Sequence, residues 1–148
     1  MEIRGEHKFE APQQAVWDAL LDPAALEATL PGCEQFENKG NDTYEVTMKV
    51  GISAIKGTYS GTVQVTDQQP PNSYRLLVEG GGKPGKVQGN AVMTLEPDGD
   101  GTKVSYTSDV KAQGAIARMG SRLLGGSARM LAGQFFKSMD KQVQQRTP

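Results

Sequence analysis

The chain holds one histidine, His7, and one cysteine, Cys33, and together they bound most of the catalytic chemistry open to it. A zinc or non-haem iron centre built on imidazoles needs more than one histidine. A cysteine zinc site or an internal disulfide needs more than one cysteine. No metal site is therefore expected. A Ser-His-acid triad would have to use His7, and no Gly-x-Ser-x-Gly elbow presents a nucleophile. His7 alternates with Ile3 and Phe9, the setting of a histidine packed on one strand face. Cys33 would need a base or positive field to act as a thiolate, whereas its neighbours Glu34 and Glu37 raise its pKa. It is expected as a small residue on the Pro31-Gly32 corner. The run Gly80-Gly81-Gly82-Lys83-Pro84-Gly85-Lys86-Val87 satisfies Gly-x4-Gly-Lys, but a phosphate loop continues with Ser or Thr and opens a helix. Here Val87 follows and starts a strand, so the run is expected as a flexible hairpin, able to gate a cavity or to meet an acidic partner through Lys83 and Lys86. No residue is assigned a catalytic role.

The elements that must hold these residues follow from periodicity. Ile3, His7 and Phe9 predict a strand over 2–10. Pro12 suits a first helical turn, and Val16, Trp17, Leu20 and Leu21 predict a short helix over 12–21. Asp22-Pro23 caps a second over 23–30, which Pro31-Gly32 ends. From Cys33 to Lys111 about six strands follow: Tyr44, Val46, Met48, Val50 and Ile52 alternate with polar residues, as do Tyr59, Gly61, Val63 and Val65. Gly40-Asn41-Asp42, Pro70-Pro71-Asn72 and Pro97-Asp98-Gly99-Asp100-Gly101 are turns. Short turns between neighbours imply an antiparallel meander, and Gly51, Gly57, Gly61 and Gly89 are expected to curve it from inside strands. Residues 114–145 return to helical spacing. A sheet of this size has an apolar face to cover, and this long helix is the one element large enough to cover it.

Charge is divided along the chain. The formal net charge of −1 over 148 residues is −7 for residues 1–109 and +6 for residues 110–148. A bulk nucleic-acid binder would be basic overall, so that class is excluded. No apolar run reaches the ~20 residues of a membrane span, and Met1-Glu2-Ile3-Arg4-Gly5 lacks a secretory layout. One domain over 1–148, cytoplasmic and without a separate linker or anchor, is expected. Lys111, Arg118, Arg122, Arg129 and Lys137 fall within an arc of about 100° on a helical projection, with no acid between Val110 and Met139. Ordinary solvated helices mix signs to gain i,i+4 pairs. A basic stripe suits an anionic membrane or an acidic protein instead, and Arg118, Arg122, Arg129 and Lys137 are its candidates. Gly114, Gly120, Gly125, Gly126 and Gly133 weaken the same helix. Either it swings at a Gly125-Gly126 kink to admit a ligand, or its glycines allow close packing on the sheet.

Specific stretches carry a family resemblance: Ala11-Pro12 with Val16-Trp17, Leu20-Leu21-Asp22-Pro23, and above all Leu30-Pro31-Gly32-Cys33-Glu34. Lys56-Gly57-Thr58-Tyr59-Ser60-Gly61, Gly80 to Gly89, Gly101 to Tyr106, and Gly120-Ser121-Arg122-Leu123-Leu124 continue it. Over about residues 2–140 the chain resembles the CoxG family of carbon monoxide dehydrogenase subunits, within the SRPBCC, START and birch-pollen-allergen helix-grip superfamily. The resemblance implies an α+β helix-grip fold: a curved antiparallel sheet of about seven strands wrapped around a long C-terminal helix, with two short helices after the first strand. It further implies a bacterial, non-enzymatic accessory protein that holds a lipid- or quinone-like molecule between sheet and helix. Such proteins assist a molybdenum hydroxylase, carbon monoxide dehydrogenase or a relative, at the inner membrane face. Some members end in an apolar anchor. This sequence stops at Gln145-Arg146-Thr147-Pro148, so reversible peripheral attachment is the expectation.

By alternation, the cavity is expected to be lined from the corner and sheet by Leu30, Cys33, Met48, Val50, Ile52, Tyr59, Met93 and Tyr106. The helix adds Met119, Leu123, Met130 and Phe135, and Gln113 or Gln134 gives a hydrogen bond to a ligand carbonyl. No cofactor is expected beyond such an apolar ligand. Two alternatives use the same elements. A polyketide cyclase- or dehydratase-like enzyme would need an acid or base in the cavity, from Tyr44, Tyr59, Tyr106 or His7. A protein-recruitment module would act through the basic helix alone.

Overall fold

The computed structural model describes residues 1–146. Its elements run β1 (Glu2–Phe9), α1 (Gln13–Leu20), α2 (Pro23–Thr29), β2 (Cys33–Gly40), β3 (Thr43–Val50), β4 (Gly57–Gln69), β5 (Ser73–Gly82), β6 (Gly85–Asp98), β7 (Gly101–Gln113) and α3 (Ser121–Arg146). Short 3-10 turns occupy Ser53–Ile55 and Ala115–Met119. Local chemistry sets the early boundaries. The Asp22 carboxylate accepts from the Ala24 N–H at 3.1 Å, with Pro23 in the first turn of α2, which satisfies one of the helix's free donors. Gly32, at φ 65°, turns the corner into β2, and its carbonyl accepts from the Lys49 N–H at 2.8 Å.

The seven strands form one antiparallel sheet in the order β1-β7-β6-β5-β4-β3-β2. Strands β2 to β7 are a meander, and β1 crosses to pair with β7 from Glu2↔Asp109 to Phe9↔Thr102. One face is polar and bare. The other carries Phe9, Tyr74, Met93, Leu95 and Val104, which are buried together with Val16, Trp17 and Leu20 of α1 and Phe136, Met139 and Val143 of α3. A second, smaller cluster of Val50, Ile55 and Ile116 lies where the two 3-10 turns meet, with Ile52, Met119, Leu124 and Leu131 packed on it. This is the α+β architecture expected from the residue patterns.

The C-terminal helix differs from its expected course. Gly114 and Gly120 both sit at φ 87°, a left-handed backbone that glycine adopts readily. They isolate the turn Ala115–Met119 and start α3 at Ser121. Lys111 therefore belongs to β7 and Arg118 to the turn, so the five cations do not share one helix. Across Gly125-Gly126, α3 runs unbroken, without the local opening that the pair of glycines suggests. Close packing does not explain these glycines either. A Cβ built on Gly126 or Gly133 meets nothing within 4 Å, and one on Gly125 meets only the Arg129 guanidinium, from 3.7 Å. Gly61 is the contrary case: a Cβ there would lie 1.8 Å from the Glu79 carbonyl oxygen. Gly51, expected within a strand, lies just beyond β3. No helix among the described residues is long and apolar enough to cross a membrane.

Candidate functional site

The pairing register aligns side chains across the inner face in rungs. One rung runs Tyr44, Val63, Val78, Gly89, Val110, and the next Val46, Gly61, Gly80, Val87, Ala112. A third passes through Val65, Leu76, Ala91, Ser108 and Ile3. The middle of this floor is thus built of Gly61, Gly80, Gly89, Ala91 and Ser108, while larger residues stand around it. The consequence shows at Val78. It sits on β5, the central strand, on the face turned to α3, yet it remains 36% exposed. A Cβ on Gly89 would find only ordinary contacts, Ser108 Oγ at 3.8 Å and Val78 Cβ at 3.9 Å. Above the floor, α3 approaches β1, α1, α2 and the two 3-10 turns most closely. The inner face beneath α3 is thus floored by short side chains at its middle, and Val78 stands partly exposed there.

The polar candidates on and around the inner face are held by hydrogen bonds or ring contacts. His7 makes a 2.9 Å hydrogen bond through Nε2 to Asp140 Oδ2. Its ring stacks on Phe136, centroids 5.3 Å apart, and meets Phe9 edge-on at 4.7 Å. It clasps β1 to α3. Tyr59 donates its hydroxyl proton to the Ile55 carbonyl at 2.6 Å, and burial raises its pKa. Tyr44 stacks on Phe36, and its phenol is raised by burial first and by Asp42 and Asp22 after. The Tyr106 ring covers Gly5, where a Cβ would lie 2.4 Å from the phenol oxygen, and it stacks on Phe136 at 5.8 Å. Burial raises its pKa and the nearby Arg129 charge lowers it. Each raised phenol stays protonated at neutral pH, a hydrogen-bond donor and not a base.

The expected cavity residues divide among several places. Met48 and Tyr106 are half-buried on the sheet, with Met48 paired to both Cys33 and Tyr59. Val50, Ile52, Tyr59 and Met119 belong to the smaller cluster at the turns. Met93 is buried in the main core, against which Leu30 and Phe135 also pack. Leu123 and Met130 do not face the cavity. They are 52% and 55% exposed, on the solvent side of α3, opposite Phe136, Met139 and Val143, because the helix takes its phase from Ser121. Cys33 is half-buried, and its thiol donates to the Gln35 carbonyl at 3.4 Å. Its pKa is raised by burial and then by Glu27 of α2, not by the sequence neighbours Glu34 and Glu37. Arg118, Arg122, Arg129, Lys137, Gln113 and Gln134 are all exposed. Sequence reasoning misses the floor itself: alternation gives Leu76 and Val78 but continues with Val92, which pairs with Arg75 on the outer face and is 38% exposed, so that Ala91 holds the inner position, and Gly80 and Gly89 read only as hairpin and curvature. No group of three or more metal-binding side chains occurs among the described residues.

Hollows of about 450 and 480 Å³ open on the outer face, and floor residues also reach them, Val78 and Gly89 in one and Gly61, Gly80 and Val87 in the other. They share Thr62, Glu79, Gln88 and Lys111, side chains that alternate with those of the floor. These are open grooves of a pleated sheet with a mixed surface, Leu77 and Val78 in one and Val87 in the other standing beside the polar side chains.

Comparison with known proteins places this geometry. The family model for CoxG, a carbon monoxide dehydrogenase subunit, matches residues 5–144. No curated protein matches the chain. Among solved structures, a conserved protein from Geobacillus kaustophilus is 36% identical over 98% of this chain and 96% of its own, with a TM-score of 0.93. A START superfamily protein from Mycobacterium smegmatis shares 12% identity over 99% of both chains, TM-score 0.78. A protein from Thermus thermophilus shares 17% over 100% of both, TM-score 0.79. The latter two speak to the fold alone, which is that of the START superfamily. With the family model spanning nearly all of its length, the chain belongs to the CoxG family of carbon monoxide dehydrogenase subunits.

Proposed function

We propose that this protein is a non-enzymatic, ligand-binding accessory protein that holds an apolar lipid- or quinone-like molecule in the cleft between sheet and α3. It serves a molybdenum hydroxylase of the carbon monoxide dehydrogenase kind, drawing its cargo from the membrane. The observation that carries this reading is Val78, a valine on the inner face of the central strand left 36% exposed above a floor of Gly80, Gly89 and Ala91. A sheet meant only to be sealed would fill that floor. Burying apolar ligand surface there is favourable by about 25 cal/mol per Å² before the costs of association. Family membership and fold support the accessory role.

A cyclase-like reaction would need a group able to take or give a proton at the floor. Two of the four named candidates are hydrogen-bonded within the fold, His7 to Asp140 and Tyr59 to Ile55, and the phenol pKa values of Tyr44 and Tyr106 are raised by burial. Native mass spectrometry of the whole chain with added menaquinone, and separately with bacterial phospholipid, tests the proposal. A one-to-one adduct with either is expected. Absence of any adduct, with an unaltered melting temperature in both, overturns it.

A further inference from the structure

The short turns and the β5–β6 hairpin meet at one end of the molecule. Ile116 donates its N–H to the Pro84 carbonyl at 2.7 Å. A Cβ on Gly57 would lie 2.7 Å from Pro84 Cγ, and one on Gly114 would lie 3.0 Å from the Gly85 Cα. The segments gathered there, residues 51–58, 80–87 and 113–124, carry Lys56, Lys83, Lys86, Arg118 and Arg122 and no acidic residue. All five side chains are exposed. None enters the ion pairs found among the described residues, which use Arg4, His7, Lys8, Lys39, Arg75, Arg146 and the N-terminal ammonium. The opposite end is the reverse: its turns carry Asp42, Asp67, Asp98 and Asp100. Among the cations lie apolar side chains, half-buried Ile52 and Met119 and the largely exposed Leu123.

We infer that this cationic end, rather than the side of α3, is a docking surface for an anionic lipid bilayer, with the strands standing on the membrane. Three properties favour a bilayer over a protein. The five charges are unpaired and spread over separate elements, which suits a diffuse anionic surface. Three of them are lysines, which protein interfaces deplete while favouring aromatic residues and arginine. The apolar tips of Met119 and Leu123 stand among the charges, as in interfacial segments that enter the headgroup boundary. Each cation near an anionic leaflet is worth about 1 kcal/mol, roughly a fivefold gain in partitioning, and the attraction weakens with salt. The inference rests on the proposed function only for its purpose, since docking this end puts the neighbouring cleft beside the apolar phase that holds its cargo. The docking itself is measured without any cargo.

The test is co-sedimentation of the full chain with vesicles of phosphatidylcholine containing phosphatidylglycerol, and with phosphatidylcholine vesicles alone. Wild type is expected to bind only the anionic vesicles and to release on raising salt. Lys83→Glu/Lys86→Glu and Arg118→Glu/Arg122→Glu should each lower partitioning by about 25-fold or more, and Lys83→Ala/Lys86→Ala by less. Arg129→Glu/Lys137→Glu, on the side of α3, should cost much less. Orientation is read separately: a tryptophan in Leu123→Trp should shift to the blue on vesicles, and one in Met130→Trp should not. No anionic-vesicle binding by wild type overturns the inference and leaves these cations to an acidic protein. Equal loss in the Arg129→Glu/Lys137→Glu variant, or an equal shift at Met130→Trp, overturns the end-on geometry. Cargo adducts persisting without vesicle binding would leave the proposed function standing while this inference falls.

Discussion

Gly89→Leu separates an open cleft from a filled core by the sign of its effect. Gly89 lies mid-strand on the floor, paired with Val78 and Val110, in backbone that any residue adopts. A Cβ there meets its nearest neighbours at 3.8 and 3.9 Å, so the first carbon enters without displacement. Replacing a strand glycine recovers about 0.5–1 kcal/mol of backbone entropy. Burying about half of a leucine side chain against Val78 and Ser108 adds about 1 kcal/mol. The variant should therefore be more stable by about 1–2 kcal/mol. The same side chain fills the space proposed for cargo, so affinity for an apolar probe should fall at least about tenfold, a loss of about 1.4 kcal/mol. Urea unfolding read by Trp17 measures the first quantity: it is the sole tryptophan, buried, and set edge-on to Tyr74 at 5.5 Å. Titration with a fluorescent fatty acid measures the second. Were the region already packed, forcing in a side chain would cost about 1–3 kcal/mol. Destabilisation of that size, or probe affinity unchanged, refutes the cleft.

Other outcomes follow from the same structure. Gly126→Ala and Gly133→Ala, each with nothing within 4 Å of the new carbon, should together stabilise by about 1–2 kcal/mol; urea midpoints check this, and a loss would place an unseen contact on that face. The His7–Asp140 clasp should show a coupling energy of about 1 kcal/mol in a double-mutant cycle with His7→Ala and Asp140→Ala, and additive effects would demote it to packing. Tyr74 is fully buried and its phenol pKa is raised by desolvation. A group raised in the fold is favoured in its neutral form there, so its contribution is complete below the unfolded tyrosine value of about 10 and is lost as pH climbs past it. Tyr74→Phe should flatten the alkaline fall in urea stability, and an equally steep fall would assign it to other phenols.

The sequence made the early fold legible because its signals are local. Asp22-Pro23 and Pro31-Gly32 punctuate α1 and α2 to within a residue or two of the observed bounds, and the turn-rich meander reads directly. The C-terminal third misleads for a physical reason. Ile116, Met119 and Leu123 keep a helix-like spacing across Gly120, whose left-handed backbone resets the phase, so the spacing alone turns Leu123 inward. Met130 shares the outward side with Leu123, one heptad on, and methionine's apolar character gives no warning. The cleft floor is illegible because its essential property is the smallness of Gly80, Gly89 and Ala91, and absent side chains leave no periodic signal. The cationic end is hidden for a different reason: its lysines and arginines come from three separate segments that only the sheet register brings together.

The pairing of β1 with β7 has a consequence for how the chain is made. Glu2 meets Asp109, and the N-terminal ammonium donates to the Val110 carbonyl at 3.0 Å. On a ribosome adding about 5–20 residues per second, the first strand waits several seconds for its only strand partner. Meanwhile the hairpins from β2 to β6 can zip locally, leaving the inner face uncovered and the amino end free. The last stretch of synthesis then delivers two things in quick order: β7, which captures the waiting strand, and α3, which clasps it through Asp140 and His7. Folding of this protein is thus gated by its final third, the part whose net charge is positive while the rest of the chain is acidic.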